Sequence, residues 1–531
     1  MCACLTVKSI SAIVWRMLSH SAVIGIDIGT SSSKGVLVDQ TGAILATAAR
    51  DHDVRRPAPG QVEMAAEVWW EEAVGIIRDL LSAPGAVPAE AIGAVGVSGM
   101  GPCVLVTDGA GDPVRPAILY GIDTRATAEI DRLTVALGGA DAIRQRCGSA
   151  LSTQAVGPKL AWLADHEPEA LSRARMLFQP SSWLGWKLTG AYYVDHHSAS
   201  QCTPLYDAGT QQWYAPWAAE IAPGLQLPPL VWPGDVIGQV TAGAAVATGL
   251  AAGTPVIAGT IDAWNEALSV GAHNVGDLML MYGTTMFLIN TVAEPLTSPT
   301  LWGTVGALPG TRNLAGGMAT SGAITTWLAD LFGARDYPRL LALAEASGPG
   351  AQGLLMLPYF AGERTPIADP HARGVIAGLT LSHTPGDLYR AALEATAFGV
   401  RHNIETIEAA GGTIKRIVAV GGGTQGGLWT RIVSDVTGLP QVIPSKTVGA
   451  SFGAAYLAAS ALAPVDITEW NPAAEICRPD PELRPVYDEL YAAYLELYPA
   501  TSAIVHGLAA YQHRRAEEAA AAAAAAAGGP Q

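Results

Sequence analysis

The chain has 531 residues, 50% of them hydrophobic, with 31 Lys plus Arg against 47 Asp plus Glu and a net charge of −16. That length fits two large domains, and the acidic balance argues against a nucleic-acid or anionic-membrane partner. Mean hydropathy is +0.26, yet no apolar run approaches the ~18–20 residues of a membrane span, so a cytoplasmic α/β enzyme rich in buried Ala and Val is the class that remains.

In chain order, residues 1–20 read as a dispensable extension. Ala12-Ile13-Val14-Trp15 is too short for a secretory core, and Met17 is as good a start as Met1. Residues 23–26 and 35–39 read as strands around Asp27-Ile28-Gly29-Thr30-Ser31-Ser32-Ser33-Lys34. A glycine-hinged loop of hydroxyls between strands can wrap backbone N–H groups around phosphate oxygens. Gly29 allows close approach, and Thr30, Ser31, Ser32, Ser33 and Lys34 supply donors and one positive charge. Asp27, at the strand end, is placed to hold Mg²⁺. Alone, the segment is equally a tight hairpin turn. Residues 64–81 read as a helix with Val68, Ala73, Ile76, Ile77 and Leu80 on one side. Strands follow at 92–97 and 104–106, then helices at 124–137 and 157–164. The six cysteines are scattered, with no C-x-x-C pair and no histidine at metal spacing, so reduced thiols are expected. His196-His197 read as loop residues, not ligands. The Pro-, Gly- and Trp-rich stretch 198–253 reads as connecting structure, and a strand at 254–259 leads to Asp262.

The loop pattern then recurs. Residues 278–282 enter Gly283-Thr284-Thr285 and leave through 286–289, which suggests a duplicated domain gripping a nucleotide between its halves. No G-x-x-x-x-G-K-[ST] is present, and no G-x-G-x-x-G opens a Rossmann unit. A strand at 416–420 runs into Gly421-Gly422-Gly423-Thr424-Gln425, whose bare backbone suits a flat nucleoside. Helices are expected at 427–437 and 448–462, and the alanine tract 516–531 as a frayed tail. The expected division is an extension at 1–20, domains at 21–271 and 272–510, and a tail at 511–531.

Phe360-Ala361-Gly362-Glu363-Arg364-Thr365-Pro366, with Asp369-Pro370 and Ala372-Arg373-Gly374, resembles the signature of the FGGY carbohydrate kinases, and so does the run at 387–398. The resemblance spans about 23–462 with every motif in family order. It implies an α/β fold of two ribonuclease-H-like domains, similar to actin and hexokinase, around a nucleotide and sugar cleft. It also implies γ-phosphate transfer from ATP, with Mg²⁺, to a hydroxyl of a sugar or polyol. Carried over by motif, Asp27 lies near the metal and Gly29, Thr30, Ser31, Ser32 and Lys34 near the phosphates. Gly283 and Thr284 meet the γ-phosphate, and Gly422 and Gly423 the nucleoside. Gly322 is a further glycine beside the nucleotide, or a plain helix-start glycine. Asp262 matches the catalytic aspartate, a general base that takes the hydroxyl proton; its position also suits a helix N-cap. Glu363 and Arg364 read as a structural ion pair, and Arg373 invites the same caution.

For the sugar, Met100, Gly101, Asp123 and Asp262 are the expected contacts. Tyr120-Gly121-Ile122-Asp123-Thr124-Arg125 resembles the family's W-x-D-x-R element with shifted spacing. Asp123 is expected to accept from two sugar hydroxyls, or to be a buried turn aspartate. Xylulose kinases carry Gln-Met-His-Gly where this chain has Met100-Gly101-Pro102-Cys103, and the Arg-Glu pair of glycerol kinases is missing too. The reading is a ketopentose kinase, xylulose first, with ribulose, fuculose or a glycerol- or tetritol-type polyol as alternatives. A non-catalytic sugar-binding regulator and a chaperone-type ATPase stand further back. The implied partners are a small-molecule sugar and ATP, with no nucleic acid and no membrane; a homodimer is left open.

Overall fold

The computed structural model describes residues 21–333 and 335–527, with side chains to Ala519; the reading of residues 1–20 lies outside them. The chain builds two compact units. The first runs through Val275 and takes back Thr291–Leu314 and Ser445–Ala473; the second holds Gly276–Asn290, Ala315–Pro444 and the remainder. The units are therefore not the two contiguous spans expected at 21–271 and 272–510.

In the first unit β1 (Ala22–Ile28) pairs antiparallel with β2 (Ser32–Asp39), which pairs with β3 (Ile44–Asp51). Every residue of β1 is buried, as its unbroken apolar run requires of a strand covered on both faces. Helix α1 (Ala66–Ser82) presents Trp69, Ala73, Ile76, Ile77 and Leu80 inward, while Val68 is only half-buried. Strand β4 (Ile92–Gly99) lies parallel to β1 and sets Asp27 opposite Ser98.

Helix α2 (Val156–His166) follows. His196 and His197 are not loop residues: they sit buried in the short helix His196–Ser200. The stretch expected to be connecting structure carries helices Ala215–Ile221 and Ala242–Thr248 and the edge strand β5 (Val236–Gln239). Strand β6 (Pro255–Ile257) lies between β5 and β4 and delivers the chain to α3 (Asp262–Ser269).

The second unit starts with the hairpin β7 (Asp277–Tyr282) and β8 (Met286–Val292). Helices α4 (Gly322–Leu331) and α5 (Pro385–Ala409) follow. Strand β9 (Arg416–Val420) lies parallel to β7, helix α6 is Leu428–Thr437, and β10 (Gln441–Pro444) lies parallel to β9. The chain then returns to the first unit as α7 (Ala450–Leu462), which packs on β1, β4 and α3. It closes the second unit with β11 (Ala473–Cys477) beside β10 and the long helix α8 (Arg484–Ala527). The alanine tract continues this helix as far as Ala527, and its last four residues lie outside the described ones. No described helix is long and apolar enough to cross a membrane.

Candidate functional site

Chemistry-bearing residues gather at the end of β1. Asp27 is 9% exposed, and its Oδ1 is buried with no protein partner. Ser98 stands opposite it on β4. Asp262 opens the first turn of α3, and Glu266 stands one turn later on the same helix face. Burial, then the charges of Asp262 and Glu266, pushes Asp27 up to about 8. Burial raises Glu266 to about 7, with Asp262 adding to it, and Asp262 itself to about 6. Burial and the mutual repulsion of these carboxylates disfavour ionising all three together. An orphaned buried oxygen in an all-oxygen donor set fits Mg²⁺, which binds through one or two carboxylates plus phosphates and water. Among the described residues no group of three or more His, Cys, Asp or Glu is placed to hold a metal ion, so the protein would offer Mg²⁺ one or two carboxylates and leave the rest to phosphates and water. Glu266 was not foreseen; its spacing of four from Asp262 is the only signal the sequence holds.

The β1–β2 loop is braced from outside. His52 Nε2 lies 3.2 Å from the Gly29 carbonyl and its Nδ1 2.9 Å from Glu72 Oε2. The Ser33 hydroxyl donates to that same Glu72 oxygen at 2.6 Å. Ser33 is therefore a buried strand residue and not a loop donor. The hydroxyls of Thr30 and Tyr120 are 2.9 Å apart, and Lys34 is exposed on β2.

Two expected sugar contacts are corrected. Asp123 is buried, with Oδ2 accepting from the Val62 amide at 2.6 Å and from Arg125 Nη2 at 2.8 Å, and Oδ1 from Arg125 Nε at 3.0 Å. Both oxygens are taken by the protein, so this side chain has none to offer a hydroxyl. Met100 is buried in the apolar core, and its amide donates to the Ile28 carbonyl at 2.7 Å. It props the end of β1. Gly101 lies against Ile261, the residue before Asp262.

In the second unit the glycine motifs converge on one cavity of about 580 Å³, lined by Gly283, Thr284, Gly322, Gly422, Gly423 and Tyr389 among others. The Gly322 amide donates to the Gly283 carbonyl at 3.0 Å, and those of Ser321 and Ala323 to Thr284 at 3.0 and 3.1 Å. A Cβ at 322 would come within 2.6 Å of the Gly283 carbonyl oxygen, so glycine is required there by close approach rather than as a helix start alone. Trp429 stands edge-on to Tyr282, ring centroids 5.3 Å apart, beneath the turn Gly422–Thr424.

The signature loop is tied down differently than expected. Glu363 Oε1 accepts from the amides of Ala319 and Arg364 at 2.8 and 2.7 Å, while Oε2 is buried without a partner. No Glu363–Arg364 ion pair forms among the described residues; burial raises Glu363 to about 8. Thr365 donates to Asn403 on α5 at 2.6 Å, and Arg373 Nε to Gln512 on α8 at 2.8 Å.

Residues 22–269 match the N-terminal domain of the FGGY family of carbohydrate kinases, and 278–462 its C-terminal domain. A glycerol kinase of Nocardia farcinica is 33% identical over 467 residues, covering 83% of this chain and 90% of that one. A xylulose kinase of Escherichia coli K12 is 28% identical over 489 residues, covering 90% and 98%. The crystal structure of xylulose kinase from Rhodospirillum rubrum superposes with a TM-score of 0.86 at 32% identity, covering 91% of this chain and all of that one.

Proposed function

Because the chain belongs to the FGGY family of carbohydrate kinases, we propose that it transfers the γ-phosphate of ATP to a hydroxyl of a ketopentose, with xylulose the first choice and Asp262 as general base. In this reading Asp262 accepts the hydroxyl proton as the oxygen bonds to the γ-phosphorus and ADP leaves. Gly29, Thr30, Ser31, Ser32 and Lys34 offer amides, hydroxyls and an ammonium to the phosphates. Gly283 and Thr284 do the same from the second unit, and the cavity beside Gly322, Gly422 and Gly423 takes the nucleoside. Mg²⁺, held by Asp27, would neutralise charge on the phosphates. The observation that carries the proposal is the pairing of Asp27, whose buried Oδ1 lacks a partner, with Asp262 at the start of α3.

A second acceptor class has its own support. The replaced Gln-Met-His-Gly element removes polar groups from the expected sugar wall, and the relative at 33% identity is named a glycerol kinase. ATP consumption measured against xylulose, ribulose, fuculose, glycerol and tetritols decides between them. Turnover highest with xylulose supports the first choice, and highest with a polyol replaces it. No Mg²⁺-dependent turnover with any acceptor in a folded protein would favour a sugar-binding regulator instead.

A further inference from the structure

We infer that Asp195 and Thr260 form a positioning pair that sets the height and direction of the Asp262 carboxylate, an inference that rests on the kinase reading of Asp262. Asp195 caps the short helix His196–Ser200, its Oδ1 accepting from the Ser198 amide at 3.0 Å. The same oxygen accepts from the Thr260 hydroxyl at 2.8 Å. Asp195 is 1% exposed, and among the described residues no ion pair reaches it. A helix cap alone does not account for this residue, since Ser or Asn caps as well without a buried charge to desolvate. The charge-assisted bond to Thr260 is the feature that only a carboxylate supplies in full.

Thr260 lies two residues before Asp262, and three elements hold it. Its carbonyl accepts from Ser98 Oγ at 3.3 Å and from Asn265 Nδ2 at 3.0 Å. Gly99 and Ile261 form a β-bridge on one side. The hydroxyl bond to Asp195 is the tie on the other. Because Ser98 stands opposite Asp27 on β4, the bonds from Asp195 to Thr260 and from Ser98 to Thr260 tie the segment that leads into Asp262 to the strand beside Asp27. Helix α3 is fixed from the same segment: the His197 ring lies 3.9 Å from that of Trp264, whose Nε1 donates to Asn313 at 3.0 Å. His197 is itself held by the Val305 carbonyl, 2.7 Å from its Nδ1. Placement of a reacting base to within an ångström is worth orders of magnitude in rate, and this network is built to supply it.

Thr260→Val removes the hydroxyl at nearly constant shape, Thr260→Ser restores it, and Asp195→Asn keeps an acceptor without the charge. The readouts are kcat, KM for ATP and for xylulose (or the acceptor that replaces it), and melting temperature. Thr260→Val is expected to lower kcat ~10–100-fold while KM for ATP stays within about twofold. Thr260→Ser is expected to recover most of that loss, and Asp195→Asn to fall between. A folded Thr260→Val with kcat within about twofold of the parent, or a Thr260→Ser as slow as the valine variant, overturns the inference. Should the valine variant not fold, Asp195→Asn decides, and normal turnover there overturns it. Asp262→Asn run in parallel separates the two readings. If it turns over normally, the base assignment falls and this role with it; if it is inactive while Thr260→Val is normal, only the positioning role falls.

Discussion

Asp262 shows how narrowly a cap and a base differ. The N-cap of α3 is Ile261, and Asp262 is the next residue, its Oδ1 accepting from the Ala263 amide at 2.7 Å. One oxygen is engaged in starting the helix, which leaves the other for a substrate proton. Asp262→Asn keeps the acceptor for Ala263 and removes the basicity. Turnover should then fall ~10²–10⁴-fold with KM for ATP nearly unchanged, and near-normal kcat would leave the residue a helix-start group only. Glu363 makes a different test. Its carboxyl is raised by burial from 4.5 to about 8, so between those values the folded chain keeps a proton the unfolded chain has lost. Stability therefore falls as pH rises through that window, by at most ~1.4 kcal/mol per pH unit from this group, and flattens above it. Glu363→Gln keeps the acceptor for Ala319 and Arg364 but cannot ionise. Its melting temperature should gain on the parent's steadily from about pH 5 to pH 8; a constant difference would show that Glu363 is ionised throughout.

At the scale of elements, helix α8 is two helices in one. Its first half buries Tyr487, Tyr491 and Tyr494, and Tyr487 Oη joins the buried Arg390–Glu394 pair, accepting from Arg390 at 2.7 Å and donating to Glu394 at 3.1 Å. Its last described contacts with other elements are those of Gln512 with Arg373 and of His513 with His371. Ending the chain after His513 should leave the melting temperature within ~1–2 °C, since residues 514–519, the described side chains beyond it, are exposed. Ending it before Arg484 strips three tyrosines from the core and strands a buried ion pair, and soluble protein should fail to accumulate. A large loss on the shorter cut would mean the alanine tract packs. These elements also show what the sequence could carry. The two glycine–hydroxyl hairpins were legible because their signal is local: strand, small residues, strand. Glu72 and His52 behind the first loop, Ser33 turning inward to meet them, and Arg125 consuming Asp123 depend on which segments meet in space, and no local pattern records that. The place of Met100 in the core is set in the same way, by which segments meet in space.

At the scale of the whole chain, the first unit is completed by a segment that arrives some 170 residues late. Phe452, Ala455, Ala458, Ala459 and Trp470 form one buried cluster with Val23, Val36, Ala94 and Ile257. The sequence marked 448–462 as an alanine-rich helix but not its address, because small residues on every side give no preferred face. The glycines of the sheet supply the missing half of that code. A Cβ on Gly25 would come within 1.9 Å of the Ser451 carbonyl oxygen, and one on Gly96 within 2.1 Å of that of Ala454. Backbone is meeting backbone there, so neither side can give by a rotamer change. Gly96→Ala must lift α7 off β4, and since α7 also packs on α3, the disturbance reaches the helix that carries Asp262. Overpacking of this kind costs ~1–3 kcal/mol or more, at about 1.5 °C per kcal/mol for a unit of this size. Gly109→Ala, at a glycine with nothing within 4 Å, is the matched control and should melt with the parent. The expected result is a Gly96→Ala variant with a lower first melting transition and reduced kcat. A parent-like melt would mean α7 can dock without the bare strand, and the late segment would then be an accessory to the first unit rather than part of its core.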